Sequence, residues 1–451
     1  MKRLFNLITV LLAVLLVSAC VEKLPETDGC GDLELTLKSA IGDFTVSALR
    51  ISDGKDLLLQ NEEPVHVNAA GTPLNFHIPA GIYNDVCISI EAEDGRTGVF
   101  QPKQGSAVLI NDGGLTRFAL EVTSLTDNSA AELSYLPEGR MFNMAVKAMV
   151  RQSPDSLHCT FSLADSIIKS ISFVTESPST DGIRIDNFEG APAYAYYDKA
   201  TGAITISTSA KAYRLNAYPA FMFDRLHLVE SIDFGNMTAP AVYKTEHMFS
   251  YCRKLKTLDL SWIEDTSENS SMDNMFSYCE SLESLDISHF RTTNVKHFRS
   301  LFNHCMSLKS IDLSNFDTSN ALSVTYMFQF TNSLERLDIS SFTVSQLEAA
   351  KLNYMFYNMP NLKELVIGDN FVPKDNALPT NFFTSTSLDF MNRTGSANRG
   401  LTIYTTQESA DWLVKTNLRW INSGYSGKTK IPVTFIDINT GNKLTVKWAA
   451  N

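Results

Sequence analysis

Residues 272–290 read Met272-Asp273-Asn274-Met275-Phe276-Ser277-Tyr278-Cys279-Glu280-Ser281-Leu282-Glu283-Ser284-Leu285-Asp286-Ile287-Ser288-His289-Phe290. Met272, Met275, Phe276, Cys279 and Leu282 fall at helical spacing, which predicts a short helix with one apolar face. Leu282, Leu285, Ile287 and Phe290 then follow the spacing of a leucine-rich repeat, in which alternate strand residues point inward. The phrase returns around Phe223, Phe249, Phe302, Phe328, Phe356 and Phe383. The seven Phe-centred units follow one another at intervals of 26, 27, 26, 26, 28 and 27 residues. One unit cannot cover its own apolar face but stacked neighbours can, so the period predicts a solenoid whose function lies on exposed faces.

Outside the repeats the patterning changes. From Asp32 to about Val122 apolar residues alternate in short runs such as Leu33-Leu35-Leu37 and Val86 to Ile90, broken by turn signals at Asp94-Gly95 and Asn111-Asp112-Gly113-Gly114. Short strands at these intervals predict a β-sandwich. Residues 126–190 read as a bridging β-region, with strand-like runs at Met144 to Val150, Cys159 to Leu163 and Ile167 to Val174. Ala193 to Tyr197 and Ala203 to Thr208 flank a turn and predict a hairpin that caps the repeats. After Phe383 the beat decays into Leu401 to Tyr404, a helix-like Ser409 to Ile421, and a hairpin Ile431–Ile438/Lys443–Trp448 turning at Asn439-Thr440-Gly441.

The chain begins with Lys2-Arg3, an apolar run from Leu4 to Val17, and Ser18-Ala19-Cys20. The run is a secretory signal, too short to span a bilayer as a helix. Val17-Ser18-Ala19-Cys20 resembles a bacterial lipobox, which implies a lipidated Cys20 as the mature N-terminus and the bilayer as a partner. The acidic stretch that follows reads as a tether. Without the signal, 36 Lys/Arg stand against 50 Asp/Glu, a net charge of −14. With no basic cluster visible, a nucleic-acid partner is not expected. Cys252, Cys279 and Cys305 share one repeat position with Leu226, Thr331 and Met359, so they read as buried structural thiols. A Cys30–Cys87 pair is left open by the sequence.

Met275-Phe276-x-x-Cys279-x-x-Leu282-x-x-Leu285-Asp286-Ile287-Ser288-x-Phe290, repeated with Leu301-Phe302-x-x-Cys305 and Ile311-Asp312-Leu313-Ser314-Asn315-Phe316, resembles the BspA-like leucine-rich repeats of bacterial surface lipoproteins over about residues 215–370. The resemblance implies an outer-membrane, cell-surface location and adhesion to host or cell-surface proteins. The expected fold is multidomain α+β, with an N-terminal β-sandwich-like domain, an α/β leucine-rich-repeat solenoid and a C-terminal β-hairpin cap. The expected boundaries are a signal peptide at 1–19, a lipidated tether at 20–31, the sandwich at 32–125, the bridging region at 126–190, the capped solenoid at 191–425 and the hairpin at 426–451.

Counting from each Phe locates candidate binding columns. Position seven alternates in sign through Glu230, Lys256, Glu283, Lys309, Glu335 and Lys363, which predicts an ion-pair ladder that fixes register. Position ten carries Asp233, Asp259, Asp286, Asp312 and Asp338, a row that either attracts a basic segment or cations, or accepts hydrogen bonds from nearby serines. Position two carries Tyr251, Tyr278, His304 and Phe330, an aromatic stripe suited to stacking between repeats or to gripping a partner. Position thirteen varies through Trp262, His289, Asn315 and Ser341, as a recognition surface would. The sequence contains no HExxH, GxSxG or phosphate-binding glycine loop, so neither an enzyme nor a cofactor is expected. Glycan binding for nutrient uptake and a structural spacer are the competing expectations.

Overall fold

The computed structural model describes residues 30–52, 57–61, 64–83, 86–100, 108–110, 114–127, 131–150, 167–177, 182–377, 379, 382, 401–416 and 433–446. The signal segment with Cys20, the runs around Cys159 and the seventh motif at Phe383 lie outside them.

In the N-terminal part, Leu33, Leu35 and Leu37 of strand Cys30–Ser39 point into a core while Asp32, Glu34 and Lys38 face outward. This alternation is what a strand buried on one face requires. The strand pairs antiparallel with Thr72–Pro79 and parallel with Leu115–Val122. Its inner face meets Val46, Leu49, Ile51, Ile88 and Ile90 from a second sheet built on Phe44–Ser52 and Cys87–Ala92.

The bridging segment departs from its predicted strand at Met144 to Val150: residues Gly139–Met149 form an α-helix. Phe142, Ala145 and Val146 bury one helical face, with Phe142 5.8 Å from Phe173 and 5.7 Å from Phe223. The run Met144-Ala145-Val146 suits either periodicity, and packing against the first repeat decides for the helix. The hairpin Ala193–Asp198/Ala203–Thr208 forms as predicted, and strand Ser170–Val174 lies parallel between Ala203–Thr208 and Ser231–Asp233 of the first repeat.

The repeats themselves correct the predicted fold class. The chain is mostly β-strands in several sheets rather than α+β with an α/β leucine-rich-repeat solenoid. Among the described residues the α-helices are Gly139–Met149 and Gln407–Thr416, and neither lies between Phe223 and Phe356. Each predicted repeat helix is a run of tandem turns. The residues two before and two after every Phe, from Phe221 and Arg225 to Tyr354 and Asn358, have φ between 55° and 65°. A right-handed helix excludes that conformation.

The hydrogen bonds give the reason. Around Phe249, the amides of His247, Phe249 and Tyr251 donate to the carbonyls of Asp273, Met275 and Ser277 in the next repeat, at 2.7–3.0 Å. The intervening amides of Met248, Ser250 and Cys252 donate three residues back within their own repeat, at 3.1–3.2 Å. A helix would keep all these donors to itself, whereas stacking requires half of them to reach a neighbour. Asp265-Thr266-Ser267 and Asp317-Thr318-Ser319, which the sequence offers as caps for repeat helices, have no such helix to cap. Instead, buried Thr266, Thr292 and Thr318 each donate to and accept from the main chain of the following repeat.

The motif rings lie along the centre. Phe223, Phe249, Phe276, Phe302, Phe328 and Phe356 are buried and stack at 5.3–6.1 Å within 17° of parallel. The thiols of Cys252, Cys279 and Cys305 are buried beside them, each within 3.1–3.2 Å of the Phe carbonyl one repeat earlier. Desolvation pushes these thiols well above their ordinary range. At the C-terminal end Arg336–Ile339, Glu364–Ile367, Leu401–Thr405 and Val433–Asp437 form a parallel four-stranded sheet. Helix Gln407–Thr416 closes that end through Trp412, which meets Phe371 and Phe382 edge-on.

Candidate functional site

The position-two column forms one continuous ladder of rings. Tyr251 and Tyr278 stack at 4.3 Å, Tyr278 and His304 at 4.1 Å, and His304 and Phe330 at 4.2 Å. All four are half-buried. Their left-handed backbone turns each ring onto its neighbour rather than into the core. Arg225 lies over the outer face of Tyr251 at 5.5 Å, and Tyr357 meets Phe330 edge-on. The ring faces are thus occupied, and what the ladder offers outward is a line of ring edges and two phenol hydroxyls. Arg253 flanks Tyr251 and Tyr278 and is held by Glu280 at 2.7 Å. Burial, followed by the nearby Arg253 charge, lowers the His304 imidazole to about 4, so it is neutral in this ladder at neutral pH. Burial and the adjoining Tyr251 raise the Tyr278 phenol.

The other candidate columns are placed differently. Asp233, Asp259, Asp286, Asp312 and Asp338 each accept the amide two residues on, at 2.9–3.1 Å, and Ser288 and Ser340 add their hydroxyls. Hydrogen bonds from Ser261, Ser288 and Ser314 hold Asp259, Asp286 and Asp312 below the usual carboxylate range. The position-seven ladder closes in two pairs, Glu283 with Lys309 and Glu335 with Lys363. Position thirteen is engaged with main chain: His289 reaches the carbonyl of Leu260, Asn315 that of Ser288 and Ser341 that of Leu313, each in the preceding repeat. Trp262 donates to the carbonyl of Asp259 and packs on Phe234 at 4.6 Å. The structure therefore brings Tyr251 and Tyr278 together in one surface, while Trp262, His289, Asn315 and Ser341 act as clips between repeats.

Sequence reasoning missed two aromatic pairs two residues before the motif Phe, separated by Asn274 and Ser300 at the same position. Phe221 stacks on His247 at 4.8 Å and Tyr326 on Tyr354 at 5.0 Å, with Arg299 over Tyr326. The signal was present as rings at that offset in four of the six described repeats, but a helical reading gave the offset no meaning. Among the described residues no group of three or more His, Cys, Asp or Glu is placed to hold a metal ion, and no helix is long and apolar enough to cross a membrane.

Residues 220–336 and 272–374 match a family described as "Mycoplasma protein of unknown function, DUF285". The two matches begin 52 residues apart, two periods of 26, and leave the sandwich and both ends of the chain uncovered. The likeness is one of repeats. No curated protein matches the chain.

Proposed function

We propose that this chain is a lipid-anchored bacterial surface protein that binds host or cell-surface proteins, as an adhesin does, through the aromatic edge of its stacked repeats, and that its role is binding rather than catalysis. The carrying observation is the Tyr251–Tyr278–His304–Phe330 ladder flanked by Arg225 and Arg253. Tyrosine and arginine on a rigid support lose little freedom on binding and are enriched where protein partners concentrate their binding energy. The occupied ring faces favour a protein over a glycan, because a sugar stacks on an open face. The lipobox-like Val17-Ser18-Ala19-Cys20 and the resemblance to BspA-like repeats support the anchor and the outer-membrane, surface location.

The full chain without its signal segment is to be screened on arrays of extracellular proteins and of polysaccharides, beside the double variant Arg253→Ala/Tyr278→Phe. Binding to a protein that weakens about tenfold or more in the variant is the expected result. Glycan binding alone, or protein binding that the variant leaves intact, refutes the reading. In cells, Cys20→Ala is expected to move the protein from the membrane to the soluble fraction, and external protease is expected to cleave the wild type on intact cells. Retention at the membrane or protection from protease counts against the anchor or the orientation.

A further inference from the structure

The strand Leu115–Val122 stands at the end of its sheet, beside Cys30–Ser39, with Thr72–Pro79 at the other end. In a parallel pair every second residue turns its amide and carbonyl toward the neighbouring strand. Asp32 N–H donates to the Gly114 carbonyl at 2.8 Å and Ala40 N–H to that of Val122 at 3.0 Å, which sets Thr116, Phe118, Leu120 and Val122 toward Cys30–Ser39. The main-chain groups of Arg117, Ala119 and Glu121 therefore point away from the sheet, and among the described residues no strand pairs with them. At one end the Thr116 hydroxyl reaches the Leu109 carbonyl at 2.7 Å, so the open edge starts at Arg117. The opposite edge of the same sheet is blunted: Pro73 and Pro79 occupy outward positions there and have no N–H to offer.

The open edge is complementary to itself. An antiparallel second copy centred on Ala119 sets Ala119 against its own equivalent and Arg117 against Glu121 of the other copy, twice by symmetry. Arg117, Ala119 and Glu121 are also the residues whose main-chain groups point outward, so backbone pairing and ion pairing select the same register. Sliding the copy by four residues sets Arg117 against Arg117 in one direction and Glu121 against Glu121 in the other, and sliding by two leaves both charges opposite neutral residues. Within one copy Glu34 meets Arg117 at 3.1 Å and Lys38 stands opposite Glu121 in the register. The Arg117 side chain remains 68% exposed, and a guanidinium has donors for two carboxylates. The joined sheet thus carries the row Glu34, Arg117, Glu121, Lys38, alternating in sign across four strands. On the inner face Phe118 and Leu120 are half-buried against the sandwich core and come to lie opposite Leu120 and Phe118 of the second copy.

We propose that this chain pairs with a second copy of itself through residues 117–121, joining two three-stranded sheets into one of six strands about a twofold axis at Ala119. The edge is short and covers well under the ~800 Å² per partner of a typical stable interface, so the contact is weak between dilute molecules and serves copies already held close together. It involves none of the repeats and does not depend on the function of the aromatic ladder.

The test uses the full chain without its signal segment and with Cys20→Ser, carrying Ala119→Cys at the axis. Opposed Cα atoms of a hydrogen-bonded antiparallel pair lie about 5.5 Å apart, within the range a disulfide spans. In a glutathione redox buffer an intermolecular disulfide is expected to form about tenfold faster, or more, than from Asn75→Cys, which is exposed on the proline-bearing edge. Adding Arg117→Glu alone or Glu121→Arg alone is expected to slow trapping about tenfold, because each sets like charges opposite each other. Mixing those two variants is expected to restore it, since opposite charges then face again at both positions. Circular dichroism melts confirm that each variant is folded. Trapping at Ala119→Cys no faster than at Asn75→Cys, insensitivity to either single reversal, or failure of the mixture to recover the rate overturns the proposal.

Discussion

Ser300 separates the turn-built repeat from the helical one by the sign of a stability change. It lies two residues before Phe302 with φ 55°, its amide 2.9 Å from the carbonyl of Thr325 in the next repeat. Left-handed backbone costs an L-residue about 1–2 kcal/mol that glycine does not incur. Glycine gives back about 0.5–1 kcal/mol through the freedom it loses on folding. Ser300→Gly is therefore expected to be more stable than Ser300→Ala by about 1 kcal/mol. In a helix the order reverses, because alanine exceeds glycine there by about 1 kcal/mol. The two geometries thus differ by about 2 kcal/mol in the Gly-minus-Ala comparison, well above the error of a urea titration. Hydrogen exchange of the amides between Phe276 and Phe328 reports the repeats without averaging over the rest of the chain. An alanine variant better protected than the glycine variant would refute the tandem-turn description.

Thr292→Val keeps the side-chain volume but strands the amide and the carbonyl of Asp317 that the Thr292 hydroxyl serves, and is expected to cost about 2–4 kcal/mol in urea unfolding, whereas Thr292→Ser retains most of the stability. Arg184 is fully buried between Glu91 of the sandwich and Asp186, and Arg184→Met leaves both carboxylates uncompensated; a loss of about 3–5 kcal/mol is expected, with proteolysis then separating the sandwich from the repeats, and an unchanged melt would contradict the network. The depressed His304 pKa means that the unfolded chain takes up a proton first as pH falls below 6.5, so stability contributed by the neutral ring is complete above 6.5 and declines as pH drops toward about 4. His304→Phe is expected to flatten that part of the pH–stability profile, and a resonance that disappears in this variant, and so belongs to His304, titrating near 6.5 in the wild type would exclude the shift.

The beat and the inward columns were legible because burial depends on spacing alone. Phe223 through Phe356, Leu282, Leu285, Ile287 and the three thiols are all buried as their periodicity requires. The local conformation was not legible from the same spacing. Met272, Met275, Phe276 and Cys279 fall on one face of a helix and equally on the inner face of turns closed by bonds to the third residue back. What distinguishes the two is φ at Asn274 and Tyr278, and neither residue type announces a left-handed backbone as glycine would. The same ambiguity hid the Gly139–Met149 helix, whose alternating Met and Val resemble a strand until Phe142 is seen against Phe173. At the surface, variation at Trp262, His289, Asn315 and Ser341 resembled recognition, yet different polar groups can all reach a carbonyl of the preceding repeat. The aromatic column was visible, but its stacking followed only from the backbone that aims the rings.

Gly235 and Gly368 stand at position twelve of the first and last described repeats, where the four between them have Ser261, Ser288, Ser314 and Ser340. A Cβ at Gly235 would lie 2.1 Å from the carbonyl of Phe173, and one at Gly368 the same distance from that of Ser340. These glycines mark seams where the periodic interior meets terminal pieces of fixed design. Between the seams each repeat donates alternate amides of its motif turn to carbonyls of the next repeat, so any whole number of copies closes in the same way. Whole repeats can therefore be added to or removed from the interior without new terminal pieces, whereas a one-residue change must be absorbed locally, as the 28-residue interval absorbs its surplus. The length of the repeat stack is thus a quantity that can vary independently of what holds the protein together.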